Sequence, residues 1–316
     1  MKQKLLVIRF SSIGDILLTA PVIRELKEAG HHITFLVKSR FKSTALLLYG
    51  IDEVLCWEES SKQILYVGSA GFDRIIDLQG TAQSKRFTKK LGIPTDTFKK
   101  PYARRALLIA TKDQRYALTP VVDRYAQAAG VALKTKEIKF NINVQTQWMD
   151  RIVIVIGGSK SGKRLVNQQW LEIISSLPQR EVVLLGGPDD QKTALEIIST
   201  FPECMNATHT SVEEGIAVIQ EAKLVISGDT GFMHAAALMG VPLISLWGAT
   251  HPSLGFGPWP ARANQRCIIT QAPSPQSKHG KVPFYAANPM LKLDIKEIQD
   301  AIAEILQDRT KHLEFL

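Results

Sequence analysis

Short, unbroken runs of Val, Ile and Leu recur along the chain, and segments with helical periodicity lie between them. An unbroken apolar run of about four to six residues is typical of a parallel strand, because such a strand is covered on both faces. Strands that alternate with helices form doubly wound sheets, so the pattern predicts an α/β fold. The predicted strands are Leu5–Phe10, Ile33–Val37, Val54–Trp57, Arg74–Leu78, Ile152–Ile156, Val182–Leu185, Leu224–Ser227 and Leu243–Leu246.

The chain of 316 residues is long for a single hydrophobic core, so two domains are expected. The polar stretch Asn141–Asp150 separates the two sets of strands, and we predict domains at 1–147 and 148–316. In the second domain, the loop-like stretch Thr270–Pro289 precedes a closing helix. The predicted helices are Ile16–Ala29, Phe41–Leu48, Gln168–Leu177, Gln191–Ser199, Val212–Glu221, Gly231–Met239 and the closing helix Ile295–Gln307.

The composition is that of an ordinary globular protein. Hydrophobic residues make up 45% of the chain, and no run approaches the roughly 18 apolar residues of a membrane span. The apolar run Leu5–Ile8 is too short for the core of a signal peptide, so we interpret it as a strand. Cys56, Cys204 and Cys267 lie far apart without metal-ligand spacing. We therefore expect no disulfide framework, no zinc site and a reducing, cytoplasmic compartment.

The net charge of +9 is concentrated in Lys85–Arg115, which we call the basic segment. This segment has ten Lys and Arg against two Asp, a net charge of +8. The pattern fits either a solvated basic face or a docking surface for an anionic partner. The candidate partners are nucleic acid, phospholipid and a phosphorylated glycolipid. No RNA-binding signature with interleaved aromatic residues accompanies the segment, which disfavours nucleic acid.

Polar residues that directly follow strands are the candidates for a site, because doubly wound sheets bind ligands beyond the carboxyl ends of their strands. The first candidates lie in RFSSIGDILLTAP, where the small residues Ser11, Ser12 and Gly14 precede Asp15. Asp15 stands where a helix begins, so its carboxylate could cap that helix or act at the mouth of a cleft. The residue pattern is compatible with both roles.

The loop IGGSKSGKRLVNQQW follows the first strand of the second domain and combines glycines with cations. Gly157 and Gly158 let the backbone approach a ligand closely, while Lys160, Lys163 and Arg164 supply positive charge. The loop is not a Walker A motif, because Arg164 follows Lys163 where that motif has Ser or Thr. We expect a phosphate site here in preference to a flexible basic loop.

The stretch LLGGPDDQ also follows a strand. Pro188 could open a helix that Asp189 or Asp190 caps. A carboxylate at this place can instead contact ribose hydroxyls, as acidic residues do in dinucleotide-binding domains. Capping is the default interpretation.

The stretch GDTGFMH stands between two buried strands. A simple turn needs only a glycine, yet the stretch adds Asp229, Thr230 and His234. The first amides of the following helix and the Thr230 hydroxyl suit a phosphate, and Asp229 suits sugar hydroxyls. A single histidine such as His234 is more often packed in a core, but the group as a whole predicts a ligand with a phosphate and a sugar.

The chain resembles the ADP-heptose:lipopolysaccharide heptosyltransferases, glycosyltransferase family nine. The matching stretches are RFSSIGDILLTAPVIRELK, GGSKSGKRL with Trp170, LLGGPDD and ISGDTGFMHAAALMGVPLISLWGATHPSLGFGPW, in order across nearly the whole chain. The resemblance implies a GT-B architecture, in which two Rossmann-like, doubly wound parallel-sheet domains face a central cleft. It also implies acceptor binding by the first domain, nucleotide-sugar binding by the second, and no metal or other cofactor.

The resemblance assigns roles to individual residues. Asp15 matches the family's catalytic base, Lys163 its diphosphate-binding lysine, and Asp190 an acidic residue that contacts the ribose. The range Asp229–His234 matches the family's Asp-Thr-Gly-x-x-His motif at the diphosphate and sugar. The predicted donor-binding residues are Gly158, Ser159, Lys163, Asp190, Asp229, Thr230, Gly231, Phe232 and His234, and the predicted acceptor-binding residues are Ser12, Gly14, Lys99, Lys100, Arg104 and Arg105.

The chemistry of glycosyl transfer fits these roles. An aspartate such as Asp15 is ionised at neutral pH and can take the proton of an acceptor hydroxyl. Lys163, the Thr230 hydroxyl and helix amides can stabilise the departing diphosphate without a metal. One displacement without a protein nucleophile inverts the anomeric centre.

We therefore expect an inverting heptosyltransferase that uses a nucleotide-diphosphate donor, ADP-heptose by resemblance. The expected acceptor is the lipopolysaccharide core or a similar anionic glycolipid at the cytoplasmic face of the inner membrane, with peripheral membrane contact and no nucleic-acid partner. Two alternatives stay open: a GT-B nucleotide-sugar epimerase or hydrolase, and a non-catalytic nucleotide-binding protein on the same scaffold.

Overall fold

The first sheet has five strands, all parallel. The structure is a computed structural model that describes residues 2–58, 71–134 and 136–314. The strands are β1 (Lys4–Ile8), β2 (His32–Lys38), β3 (Glu53–Trp57), β4 (Arg74–Asp77) and β5 (Thr95–Thr97). Their order is β3-β2-β1-β4-β5, so the direction of strand addition reverses between β1 and β4.

The second sheet has six parallel strands and the strand order of a complete Rossmann fold. Its strands are β6 (Ile152–Val155), β7 (Val182–Leu185), β8 (Met205–Ala207), β9 (Leu224–Gly228), β10 (Leu243–Trp247) and β11 (Gln265–Ile269). Their order is β8-β7-β6-β9-β10-β11, so the reversal lies between β6 and β9. The two parallel sheets confirm the predicted α/β fold.

Helices connect the strands of both sheets. Short 3-10 turns, such as Pro188–Asp190 before one of the helices, occur at several connections. The α-helices are α1 (Ile13–Leu17), α2 (Ala20–Glu28), α3 (Lys42–Leu46), α4 (Ala82–Leu91), α5 (Tyr102–Thr111), α6 (Val121–Ala129), α7 (Asn167–Ser175), α8 (Gln191–Thr200), α9 (Val212–Gln220), α10 (Gly231–Met239) and α11 (Ile295–Glu314).

The single helix predicted at Ile16–Ala29 is wrong, because the chain forms two helices there, α1 and α2. Pro21 lies in the first turn of α2 and has no N–H group to continue the hydrogen-bond ladder of α1. The Thr19 hydroxyl donates a hydrogen bond of 2.7 Å to the Ile16 carbonyl at the break. The proline therefore starts a new helix instead of extending the first.

The side chains of β6 alternate between two hydrophobic cores. Ile154 packs in a cluster with Trp170 of α7, whereas its neighbour Val153 packs in a separate cluster with Met233 of α10. All four of these residues are almost completely buried. Coverage on both faces explains why this strand is apolar at every position.

The chain divides into two compact units. The first unit contains Met1–Pro101 and Thr119–Ile142, and the second contains Tyr102–Leu118 and Asn143–Leu316. The basic segment is therefore divided between the units, with α4 in the first and α5 in the second. The boundary at 147/148 and the ligand assigned to each domain stay predictions. Within the described ranges, none of the helices is both long and apolar enough to cross a membrane.

Candidate functional site

The candidate residues lie near the points where the strand order of each sheet reverses. In the first sheet, Asp15 follows β1, which is paired with β4. In the second sheet, Lys163 follows β6 and Asp229 follows β9, and these two strands are paired in register. Ligands of doubly wound sheets bind at such points, beyond the carboxyl ends of the strands. The two groups of residues belong to different compact units of the chain.

The strongest cluster joins three of the predicted donor residues. The Lys163 Nζ atom lies 2.7 Å from Asp229 Oδ2, and His234 Nε2 lies 3.8 Å from Asp229 Oδ1. Asp229 and His234 are buried, and Lys163 keeps only 14% of its side chain exposed. The structure thus brings together a cation, a carboxylate and an imidazole that the sequence places in two distant motifs.

Glycines allow the chain to pack closely around Lys163. A side chain at Gly228 would collide with the Lys163 carbonyl group. A Cβ atom at Gly280 would lie 2.5 Å from Lys163 Cγ, and Gly280 also has a φ of +75°. Gly280 belongs to the predicted loop Thr270–Pro289, and sequence reasoning did not select it. The sequence shows only a single glycine in a polar loop, far from Lys163 in the chain, and nothing in this pattern indicates contact with Lys163.

The loop that carries Gly280 is fastened to the carboxyl edge of the sheet. The Ser274 hydroxyl donates to the Gly248 carbonyl at 2.7 Å and to the Thr250 carbonyl at 3.0 Å. The side-chain amide of Asn288 donates to the Ser161 carbonyl at 3.1 Å, in the turn that contains Lys163. These contacts explain how a long connection after β11 holds a fixed place beside Lys163.

Thr230 caps the helix that begins at Gly231. Its Oγ1 atom accepts a hydrogen bond of 3.2 Å from the Met233 amide and lies 2.9 Å from the Ser227 hydroxyl. Phe232 packs on Gly215 of α9, where an added Cβ atom would meet its ring at 2.6 Å. Thr230 therefore defines the N-terminus of α10, while Phe232 contributes to the packing of α10 against α9.

The Asp190 carboxylate closes the 3-10 turn before α8, but it makes no side-chain cap hydrogen bond to α8 itself. Its Oδ2 atom accepts a hydrogen bond of 2.9 Å from the Gly187 amide, and its Oδ1 atom lies 3.5 Å from Arg164 Nη1. Gly157 has no room for a side chain beside this carboxylate, and a Cβ atom at Gly158 would lie 2.8 Å from Arg164 Cγ. The remaining donor candidate of this loop, Ser159, is exposed.

In the first unit, Asp15 accepts hydrogen bonds at the start of α1. Its Oδ2 atom accepts from the Ser12 amide at 3.3 Å and from the Ser12 hydroxyl at 3.1 Å. Its Oδ1 atom lies 2.7 Å from Arg9 Nη2. Gly14 is buried within α1. The carboxylate therefore caps the helix and is ion-paired, and 22% of its side chain is exposed.

A buried carboxylate that sequence reasoning missed, Asp77, holds the loop after β4, and Gln79 joins this loop to the one after β1. Asp77 is fully buried and accepts hydrogen bonds from the amides of Gln79 and Gly80 at 3.0 and 2.9 Å and from the Ser84 hydroxyl at 2.8 Å. The side chain of Gln79 in turn accepts a hydrogen bond of 3.1 Å from the Phe10 amide. This network fixes the backbone that leads to Asp15.

Comparison with known proteins identifies the family. The family model described as glycosyltransferase family 9 (heptosyltransferase) matches residues 61–283, more than two thirds of the chain. The chain belongs to glycosyltransferase family 9. It is therefore a glycosyltransferase of the heptosyltransferase type, and the two parallel-sheet domains are those of the GT-B fold.

Relatives of this family 9 enzyme align with most of its length. Lipopolysaccharide heptosyltransferase 1 of Escherichia coli is 22% identical over 295 residues, which cover 81% of this chain and 91% of the relative. The solved structure of Escherichia coli ADP-heptose lipopolysaccharide heptosyltransferase II has a TM-score of 0.71 and 18% identity, covering 97% of this chain and 99% of that one. An Escherichia coli heptosyltransferase solved with ADP has a TM-score of 0.69 and 19% identity, covering 96% and 99%.

The predicted acceptor residues of this glycosyltransferase are not gathered in one unit. Lys99 and Lys100 belong to the first unit, whereas Arg104 and Arg105 lie on α5 in the second. Arg104 donates to the carbonyls of Ala117 at 3.1 Å and Arg115 at 2.6 Å. Arg105 stacks over Tyr102, 5.0 Å from the ring centroid. Both arginines thus contribute to local structure around α5.

Among the residues that the structure describes, no group of three or more His, Cys, Asp or Glu side chains is placed to hold a metal ion. The cluster at Asp229 contains two such residues, Asp229 and His234, and the Lys163 cation lies against the same carboxylate.

Proposed function

We propose that this family 9 enzyme transfers a heptose or a related sugar from a nucleotide-diphosphate donor, ADP-heptose, to the lipopolysaccharide core or a similar anionic glycolipid. The observation that carries the proposal is the contact between Lys163 and Asp229 beside the N-terminus of α10. The printed names of the relatives support the substrate class, and ADP is the ligand in one of the similar structures.

The second unit would bind the donor. The N-terminus of α10 carries a partial positive charge, and the Lys163 ammonium group adds a full one within the same loop cluster. A diphosphate would replace the Asp229 carboxylate as the partner of Lys163, and Asp229 would then be available to accept hydrogen bonds from sugar hydroxyls. Asp190 would contact the ribose next to Gly157, where the chain has no side chain.

The first unit would bind the acceptor and supply the base. Asp15 would take the proton of the acceptor hydroxyl as that oxygen attacks the anomeric carbon of the donor. The bond from the anomeric carbon to the diphosphate breaks in the same step, and Lys163 with the α10 amides stabilises the charge that develops on the leaving group. One displacement of this kind inverts the anomeric centre and needs no metal or other cofactor.

The acceptor would be an anionic glycolipid at the cytoplasmic face of the inner membrane. The exposed cations of α4 support this part of the proposal, because polybasic surfaces bind anionic membranes. Four basic residues of α4 are exposed, and none of the helix's own residues is acidic. These basic residues are Lys85, Arg86, Lys89 and Lys90.

Nucleotide binding and transfer can be tested in sequence. The melting temperature of the protein is measured with ADP, GDP, UDP and CDP, and a true ligand at a hundredfold excess over its Kd should add about 2.7 kcal/mol of stability. ADP-heptose is then supplied with and without a heptose-free lipopolysaccharide acceptor. Transfer of the sugar to the acceptor is expected. Preferential stabilisation by another nucleotide would contradict the ADP assignment, and consumption of ADP-heptose without acceptor would instead indicate an epimerase or hydrolase.

A further inference from the structure

Arg9 is held in a fixed orientation by the ends of two adjacent strands. It follows β1, and its Nε atom donates to the Ser11 carbonyl at 2.8 Å. Its Nη1 atom donates at 2.9 Å to the carbonyl of Leu78, which follows β4. Its Nη2 atom lies 2.7 Å from Asp15 Oδ1. All three nitrogens of the guanidinium group therefore have a partner, and the two backbone carbonyls that follow β1 and β4 fix the plane of the group.

The two oxygens of Asp15 have different partners. Oδ1 faces Arg9, whereas Oδ2 accepts hydrogen bonds from the amide and the hydroxyl of Ser12. The side chain of Asp15 is 22% exposed and that of Arg9 only 8%. The carboxylate is therefore the member of the pair that a second molecule can reach, and Arg9 supports it from the protein interior.

Stability alone does not account for this arrangement. A buried ion pair is often no more stabilising than apolar residues of the same size, because both charges lose their hydration. What an arginine adds is a rigid, planar set of donors that fixes the orientation of a carboxylate, which the single point charge of lysine cannot do. The Arg9 plane is fixed independently of Asp15 by the carbonyls of Ser11 and Leu78.

We propose that Arg9 is a positioning residue for the Asp15 base: it orients the carboxylate toward the acceptor hydroxyl and keeps it ionised by its charge. This inference rests on the proposed function, in which Asp15 takes the acceptor proton. Arg9 itself does not touch the reacting atoms. It acts only through Asp15.

Other charged and titratable groups around this pair are Tyr125, Asp77 and Arg124. Burial lowers the pKa of Arg9, but Asp15, Tyr125 and Asp77 together outweigh burial, so the pKa is raised and Arg9 stays cationic. The Arg9 guanidinium lies 5.6 Å from the ring centroid of Tyr125. Burial raises the pKa of the Tyr125 hydroxyl above its ordinary range, and interaction with the Asp15 carboxylate raises it further, which keeps the hydroxyl neutral. Asp77 adds a second negative charge near Arg9, and Arg124 a positive charge near Tyr125. Without Arg9, the Asp15 and Asp77 carboxylates would lose a cation that interacts with both of them.

The first test is the pH dependence of kcat/KM in Arg9→Met. An opposite charge within a few ångströms lowers a carboxyl pKa by about one to three units. Its loss should therefore move the acid limb of the profile up by about one pH unit or more. Loss of orientation should lower kcat by roughly 10–100-fold at an unchanged KM for the donor. An acid limb at its original pH would overturn the proposal.

The second test is Arg9→Lys, which remains informative if Arg9→Met fails to fold. Lysine keeps the positive charge, so the acid limb should stay in place. It has no planar fork, so kcat should still fall while the KM for the donor is unchanged. A kcat equal to that of the unmodified enzyme would show that Arg9 does not position Asp15.

A matched ion pair in the same unit provides the control. Arg24 Nη2 lies 2.7 Å from Glu25 Oε1, and both side chains are largely buried. Arg24→Met should lower the melting temperature without moving the acid limb.

Failure of the proposed function is recognised separately, because Asp15→Asn would then retain near-normal turnover. If Asp15→Asn is inactive but the Arg9 variants behave like the unmodified enzyme, only the role of Arg9 is overturned.

Discussion

Lys163 Nζ lies 2.7 Å from Asp229 Oδ2, and this contact joins the loops that follow two paired strands, β6 and β9. The contact brings two motifs that are distant in sequence to one place. Both side chains are mostly buried, and a buried charge without a partner is costly. In this pair, each side chain neutralises the charge of the other. A diphosphate that displaces Asp229 from Lys163 would meet a cation whose position is already fixed.

Replacement of Lys163 by alanine should weaken ADP binding. In the proposed function, the lost interaction would be a charge-assisted hydrogen bond to the diphosphate, worth roughly 1.5–3 kcal/mol. The remaining Asp229 carboxylate would also repel the diphosphate, so the loss should lie at the upper end of this range. Isothermal titration of ADP into the purified variant measures the change. An affinity equal to that of the unmodified enzyme would remove Lys163 from the donor site.

Lys223→Ala separates this effect from a general loss of stability. Lys223 forms an ion pair with Glu181 in the same unit, and its side chain is about as buried as that of Lys163. Lys223 precedes β9, at the amino end of the strand, away from the proposed donor site. Its replacement should lower the melting temperature but leave ADP affinity unchanged.

Gly280→Ala should disturb the donor site from the opposite side. The new methyl group would meet the side chain of Lys163 at Cγ, 2.5 Å away, so the lysine has to move. The backbone at Gly280 is left-handed, with a φ of +75°, which adds about 1–2 kcal/mol of strain for alanine. We expect weaker ADP binding and a lower melting temperature, both measured on the same preparation.

Gly92→Ala is the control for the strain term. Gly92 has a φ of +66°, close to that of Gly280, but a Cβ atom there meets nothing within 4 Å. The variant should lose similar stability and keep the ADP affinity of the unmodified enzyme. If the two alanine variants bind ADP equally well, contact of Gly280 with Lys163 does not matter for the donor site.

The central strands could be predicted from the sequence, but among the edge strands only β3 was predicted. In β6, neighbouring residues such as Val153 and Ile154 reach different cores, so both must be apolar and the run is unbroken. β5, β8 and β11 lie at the edges of their sheets and were missed. Their sequences TDT, MNA and QRCII lack the continuous apolar run, because an edge strand is covered less completely.

The candidate site was predictable where a local motif carries the chemistry. Asp15, Lys163 and Asp229 each follow a strand beside small residues, and that pattern is visible in a short window of sequence. The contacts of Arg9 with Leu78 and of Gly280 with Lys163 join residues that are far apart in the chain. No local pattern records such a contact, since it depends on how the strands and the last loop pack together.

Charge reversal on α4 should weaken binding to anionic membranes. Lys89 and Lys90 are exposed, and each cation near a membrane surface contributes about 1 kcal/mol. Lys89→Glu combined with Lys90→Glu removes two cations and adds two anions, so it should reduce the affinity for vesicles containing phosphatidylglycerol by at least about 2 kcal/mol, or roughly 30-fold. These residues are better targets than Arg104, whose guanidinium donates to two backbone carbonyls.

Lys192→Glu combined with Lys296→Glu is the matched control for α4. Both lysines lie on other helices, and their side chains are 90% and 76% exposed. The control also replaces two lysines by glutamate, so it changes the net charge by the same amount as the α4 variant. Vesicle co-sedimentation at low salt should show a loss for the α4 variant alone. Equal losses would indicate a nonspecific charge effect, and no vesicle binding by the unmodified enzyme would leave the basic segment as a solvated face.

Asp15→Asn distinguishes a catalytic base from a helix cap. Asparagine can accept the hydrogen bonds of Ser12 and caps helices as well as aspartate, so capping alone predicts a stability change within about 1 kcal/mol. The amide does not carry the charge that pairs with Arg9, so the free energy of unfolding should fall further, by about 1.5–3 kcal/mol in total. Glu25→Gln breaks the Arg24–Glu25 ion pair of the same length in the same unit, and it should show a comparable loss of stability with normal turnover.

Turnover is the measurement that decides the role of Asp15. An amide cannot take a proton at neutral pH, so transfer by Asp15→Asn should fall by the contribution of a positioned base, roughly 10²–10⁴-fold. ADP affinity should not change, because the proposed nucleotide site belongs to the other unit. The assay is run well below the melting temperature of the variant, so that the loss of stability cannot mimic a loss of chemistry. Near-normal turnover beside an inactive Lys163→Ala variant would show that Asp15 only caps α1, and the base would have to be another residue.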